Sequence, residues 1–272
     1  MLRVTVWHEH RHEKTNKTVQ EIYPEGMHAE MKSAIEEHLS DRVEVTTALL
    51  DQDDEHGLGN GVLENTDVLT WWGHGAHKEV KDEVAEKVAQ RVREGMGFVP
   101  LHSAHYAKPF KLLLGTNNHL RWREAGEKER LWVVSPGHPV TAGIEGPSDE
   151  KGPGGRAEFF ELPRTEMYGE PFDVPAPEEL VFVSWFAGGE VFRSGCGWKR
   201  GAGKIFYFRP GHETFPIYKD KNVRRVLANA VKHVAPVAGV VPYRHDSPKI
   251  DPPLEALDTG HVVDESLHDH QK

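Results

Sequence analysis

The feature that most constrains this 272-residue chain is an alternation within its first hundred residues. Short apolar runs end abruptly on polar side chains and are separated by stretches of helical period. Leu2-Arg3-Val4-Thr5-Val6-Trp7 has the β-branched content of a strand. After the turn Tyr23-Pro24-Glu25-Gly26, the residues Met27, Met31, Ile35 and Leu39 recur at the spacing of a helix with one buried face. Val43 to Leu50 reads as a second strand and Asp67 to Trp72 as a third. Val80, Val84, Val88 and Val92 mark a second helix, which Gly95 stops. Gly97-Phe98-Val99-Pro100-Leu101 is a fourth strand. The order β-α-β-loop-β-α-β predicts an α/β fold, a three-layer sandwich around a mainly parallel, doubly wound sheet. Right-handed crossovers would gather the strand ends on one edge, where ligands bind in open sheets of this kind.

That edge would be rich in imidazole. The chain has 18 histidines, and several fall just past a strand: His8, His74 and His77, and His102 and His105. Each alone reads equally well as a core or surface residue; five in these places make a common cleft the better reading. His8-Glu9-His10-Arg11-His12 formally matches H-E-x-x-H, but that motif needs a helix and here follows a strand, so a metalloprotease is rejected. His10 and His12 are expected in solvent. Glycines around Gly73 would let backbone N–H groups approach a ligand, as an oxyanion hole requires. His28 lies in the first turn of its helix, near the positive end of the dipole. Gly57-Leu58-Gly59-Asn60-Gly61 has no dinucleotide spacing, so no nucleotide cofactor is assigned.

The second half is less regular. Phe110 to Gly115 reads as a helix end, Arg130 to Val134 as a strand, His138 to Ile144 as a turn with a short helix, and Lys151 to Gly155 as a loop. Alternating stretches follow at Glu158–Leu162, Leu180–Phe186, Glu190–Arg193 and Lys204–Phe208. The last two flank Gly195 to Gly201, read as a hairpin turn carrying the lone Cys196. A strand-to-turn junction at Arg209-Pro210-Gly211-His212-Glu213 adds further functional groups, and Val223 to His233 is a helix. The expected organisation is a domain over residues 1–235 and a proline-rich tail over 236–272.

Composition excludes several classes. A 38% hydrophobic, 28% charged chain is globular, and a net charge of −10 argues against nucleic acid. No apolar run has the length of a membrane span, and one cysteine gives no disulfide framework, so residence in the cytoplasm is expected. The partner expected is a small molecule, with a homodimer as a further arrangement open to the chain.

Four phrases resemble the trehalose-utilisation (ThuA-like) proteins: Tyr23-Pro24-Glu25-Gly26-Met27-His28, Trp71-Trp72-Gly73-His74, Met167-Tyr168-Gly169-Glu170-Pro171-Phe172 and Phe208-Arg209-Pro210-Gly211-His212-Glu213. The resemblance spans nearly the whole chain and implies a flavodoxin-like fold of the class I glutamine amidotransferase type. In that fold a cysteine nucleophile sits at the elbow after a central strand. Here the elbow matches His102 or Ser103, so glutamine hydrolysis through a thioester is excluded. The late-strand histidine has its counterpart in His212, with Glu213 after it. The family implies a sugar substrate, trehalose or an oxidised derivative.

The expected chemistry is that of a lyase, hydrolase or isomerase on a sugar or keto-sugar, with His102 and His212 as base and acid and Glu213 as orienter. Gly73, His74, His77 and Arg209 would bind substrate, with Trp185 offering a ring face. A divalent metal, zinc or manganese, could be held by His8, His28, His105 and His212. Ser103 is a weaker candidate nucleophile, since the G-x-S-x-G elbow is missing. The competing reading is a sugar-binding or regulatory module without chemistry.

Overall fold

A computed structural model describes residues 1–147, 157–237, 239–241, 250–262, 264 and 266. The chain divides into two units, Met1–Val241 and Pro242–Lys272. The described residues of the second unit are exposed. The loop expected at Lys151 to Gly155 lies outside the described residues.

The described residues of the first unit form nine strands: β1 (Leu2–His8), β2 (Val43–Leu49), β3 (Val68–Trp72), β4 (Gly97–Leu101), β5 (Arg121–Val133), β6 (Phe159–Gly169), β7 (Glu179–Phe186), β8 (Val191–Arg200) and β9 (Gly203–Phe208). The helices are α1 (His12–Thr15), α2 (Lys17–Ile22), α3 (Met27–Leu39), α4 (Asp82–Arg93), α5 (Lys108–Leu114) and α6 (Lys221–Val234). All nine strands join one sheet in the order β2-β1-β3-β4-β9-β8-β7-β5-β6.

The half from β2 to β9 is parallel, as the alternation of strands and helices requires. Its inner strands are covered on both faces and carry nearly continuous apolar runs, whereas β2, at the edge, alternates buried and exposed positions. On one face Met27, Met31 and Ile35 of α3 and Val226, Leu227 and Val231 of α6 share a core with Val4, Val6, Val99 and Phe208. On the other, Val84, Val88 and Val92 of α4 and Phe110 of α5 pack with Trp7, Trp71, Phe98 and Tyr207. Burying such a side chain contributes about 1.5–3 kcal/mol.

The mainly parallel sheet expected from the sequence is corrected to a mixed one. β8 runs antiparallel to β9, β7 to β8, and β5 to both β7 and β6. The physical reason is connection length: four residues join β7 to β8 and two join β8 to β9, too few for a parallel crossover. The hairpin turn also moves. Gly195 and Gly197 lie inside β8, where a side chain on Gly195 would run into the Phe182 ring. The turn is Gly201-Ala202, with Gly201 at φ +62° against the carbonyl of Arg93. Cys196 is therefore a buried strand residue opposite Tyr207, and burial pushes its thiol up to about 12. Among the described residues no helix is long and apolar enough to cross a membrane.

Candidate active site

The parallel register aligns four strand ends. His8 stands opposite Trp72, Trp72 opposite Leu101, and Leu101 opposite Phe208. The residues that follow each end open onto one edge of the sheet. A cleft of about 340 Å³ lies there, lined by His74, His77, Ser103, His105, Tyr106, His119, Leu120, Trp122, Glu166 and Tyr168.

At its floor, β4 turns sharply at His102, which has φ +51° and no solvent exposure. A non-glycine residue in this region is strained and persists only where its surroundings hold it. Here Tyr207 Oη donates to the His102 carbonyl at 2.9 Å, and His102 Nδ1 meets the Arg209 carbonyl at 3.0 Å. Since a carbonyl only accepts, Nδ1 carries the proton and Nε2 offers its lone pair. Glu166 Oε2 stands 3.1 Å from that Nε2 and makes no hydrogen bond of its own. Burial raises the Glu166 carboxyl and drives the His102 imidazole well below its usual value. Both shifts favour a shared proton on a neutral pair over two charges. Tyr168 stacks on His102 at 4.9 Å and binds Ser103 Oγ at 2.8 Å.

Above this pair the rings of His74 and His212 approach that of His102 at 5.9 and 5.5 Å. Glu213 accepts from His74 Nδ1 at 2.9 Å and lies 2.6 Å from His12 Nδ1. The carboxylate raises both imidazoles, most directly that of His12, while burial works against it in His74. The two imidazoles hold Glu213 ionised against its own desolvation. His74 is thus a cleft-lining imidazole biased towards its charged form.

A family model described as ThuA, trehalose utilisation, matches residues 3–234. The chain belongs to the ThuA family. Among solved structures, the fold is similar to a putative ThuA-like protein of Parabacteroides merdae (13% identity, TM-score 0.61, covering 88% of this chain and 91% of that one). One from Bacteroides uniformis is 15% identical with a TM-score of 0.58, over 88% and 94% of the two chains. A cytoplasmic protein of Salmonella typhimurium LT2 is 10% identical with a TM-score of 0.55, over 86% and 100%. No curated protein matches the chain.

On this ThuA fold the expected residues fall into three groups. His74, His77, Ser103 and His105 line the cleft, with His102 at its floor and His212 and Glu213 beside His74. Several expected roles change. Glu213 orients His74 and His12, not His212, whose Nδ1 accepts from Thr214 N at 3.2 Å. Ser103 bonds a tyrosine and not an imidazole, which removes the base a nucleophilic serine needs. Arg209 has no exposure: it pairs with buried Glu129 and donates to the Glu166 carbonyl, so it supports the floor and cannot reach a substrate. Trp185 lies in a separate groove with Trp132 and Arg130. His12, expected in solvent, is turned inward by α1 onto Glu213.

The Gly73 turn is not an open oxyanion hole. The N–H groups of His74, Gly75 and Ala76 all donate to the buried carboxylate of Glu9, at 2.7, 2.9 and 3.0 Å. A run of backbone N–H groups suits an anion, and the chain supplies its own. Glu9→Ala is expected to cost about 3 kcal/mol by leaving these donors unpaired, with Glu9→Gln intermediate. Chemical denaturation checks this; an unchanged midpoint in the alanine variant contradicts it.

The four histidines expected as metal ligands do not form one set. His8 and His28 group with Glu13, His105 Nδ1 is bonded to the Asn118 carbonyl, and His212 stands by His74. The His8 trio fits a metal poorly. His8 Nδ1 accepts from His10 N at 2.9 Å, which puts the neutral ring's proton on Nε2, the atom that would have to bind. Glu13 also serves α3, accepting from Met27 N at its first turn. His12, His74 and Glu213 also converge, but both Nδ1 atoms face the Glu213 carboxylate as donors, so a divalent ion there would have to replace the two ring protons.

Burial holds several imidazoles neutral. His28, His77 and His212 are lowered to about 4 and His105 to about 3. In the unfolded chain each titrates near 6.5, so between these values the unfolded state binds more protons and stability rises with pH. Their contribution is intact above about pH 6.5 and is lost as pH falls through the folded values. The raised His12 and His74 act oppositely, losing their contribution as pH rises through theirs. Thermal melts should show a melting temperature that drops progressively on acidification below pH ~6.5; a flat profile down to pH ~4 contradicts this balance.

Proposed function

We propose that the cleft performs acid–base chemistry on a keto-sugar derived from a disaccharide, with Glu166 and His102 as the proton-transfer pair. The observation that carries this is a buried carboxyl oxygen without a hydrogen bond, 3.1 Å from the lone pair of a buried imidazole, at the floor of an open cleft. Such a pair is matched to proton transfer at neutral pH, because its proton can lie on either partner without creating isolated charge.

A keto group acidifies the C–H beside it. The pair rests neutral with the shared proton on Glu166; passing it to His102 Nε2 frees the carboxylate, which then takes the substrate proton while the C–H electron pair moves onto the carbonyl oxygen as an enolate. His74, biased towards its charged form by Glu213, stands at the cleft wall to stabilise the developing negative charge. Collapse of the enolate then expels the sugar oxygen on the adjacent carbon, which takes the proton back from Glu166, or returns that proton at a new carbon, which divides a lyase from an isomerase. Steady-state turnover of 3-keto-trehalose by Glu166→Gln and His74→Gln tests the reading, and unchanged turnover in both removes it.

A second reading is favoured by the convergence of His12, His74 and Glu213: a zinc or manganese ion held by these three, leaving an open position for water. Metal analysis of untagged protein separates the two. Near-stoichiometric metal, lost together with activity on chelation, supports the ion; full activity after chelation supports the proton-transfer pair acting alone.

A further inference from the structure

The cleft lining has two parts of different chemistry. Acid–base groups such as Glu166 and His74 supply one part of the lining, and Tyr106, His119, Leu120 and Trp122 supply another. Trp122 is 66% exposed, and among the described residues its side chain makes no ring contact and no hydrogen bond. An indole left bare at the rim of a polar cleft is unusual for a residue that otherwise finds a partner.

Register fixes where that ring stands. Trp122 on β5 is paired directly with Tyr168 on β6, and Arg123 with Met167, so Trp122 and Tyr168 project from the same face of the sheet. Glu166, two residues along β6, shares that face. Trp122 and Glu166 are diagonal neighbours across the two strands, about 7–8 Å apart, a separation on the scale of one hexose unit. A sugar ring over Glu166 would therefore place its neighbour over Trp122. Tyr106, the other exposed aromatic of the lining, is already capped by Lys111 Nζ, 3.0 Å from the ring centroid. The indole face remains for a ligand.

Resting on the sugar reading above, we propose that Trp122 is the platform of a second sugar subsite, so that the cleft selects two-ring over one-ring substrates. The stacking of C–H groups on the indole supplies affinity for the distal ring and does not touch the reacting carbon. Trp122 is then a specificity-determining residue and not a catalytic one.

Calorimetric titration of wild type, Trp122→Ala and Trp122→Phe with trehalose and with glucose tests this. The expected result is a roughly tenfold weaker trehalose affinity in Trp122→Ala, largely restored in Trp122→Phe, with glucose binding unchanged in all three. Equal trehalose binding in wild type and Trp122→Ala, or equal losses for both sugars, overturns the subsite while leaving the sugar reading in place. Wild type that binds neither sugar also overturns the subsite, while turnover of 3-keto-trehalose tests the sugar reading separately. Circular dichroism confirms that each variant is folded.

Discussion

Replacing Glu166 with glutamine is expected to lower kcat on a keto-sugar by roughly 10²–10⁴-fold with little change in KM. The amide keeps the shape of the side chain but cannot accept a substrate proton. The fold should tolerate it. Glu166 is a buried carboxyl that burial already pushes towards neutrality, so a neutral isostere removes a desolvation cost and not a needed charge. The melting temperature should hold or rise. This combination separates a chemical role from a structural one: a fall in activity that tracks a fall in stability would count against Glu166 as the proton carrier.

The largest effect on stability should come from Arg209→Met. The guanidinium has no solvent exposure, and its partner Glu129 has none either. Arg209 also donates to Thr165 Oγ1 at 3.2 Å and to the Glu166 carbonyl, tying β9 to strands that are not its neighbours in the sheet. Removing it leaves Glu129 with Ser184 Oγ as its remaining side-chain partner. An uncompensated buried charge of this kind costs about 3–5 kcal/mol, a large share of a typical domain's stability. The double variant Arg209→Met, Glu129→Gln should recover most of the loss, because neither charge is then stranded. Chemical denaturation of both settles the point. Arg209→Met as stable as wild type would mean that the pair contributes nothing.

The parallel half was legible because its strands are buried on both faces and its helices have clean periodicity; Val84, Val88 and Val92 could hardly lie elsewhere. The strand ends carrying His8, His74, His102 and His212 followed from the same reasoning. The antiparallel half was harder. Pro163 reads as the end of a strand, yet it sits where the β5–β6 register shifts, between the pairs Glu127–Thr165 and Glu129–Leu162. The strand therefore continues to Gly169 and carries Glu166 into the cleft. Reading the alternation past that proline would have found it. Nothing local could show that Glu9 fills the N–H groups after β3, or that Arg209 is sealed against Glu129, because those pairings join residues 65 and 80 positions apart. His12 was misread for a related reason: α1 has four residues, too short to show a period, yet long enough to reverse the direction of the ring.

The central claim is that Glu166 and His102 exchange a proton with a carbon beside a sugar keto group. Incubating 3-keto-trehalose with the protein in heavy water and following that C–H signal by NMR tests it most directly. Washout of the signal by wild type, slowed at least a hundredfold in Glu166→Gln, is the predicted result. No washout by wild type, or washout at the same rate in both, would contradict it.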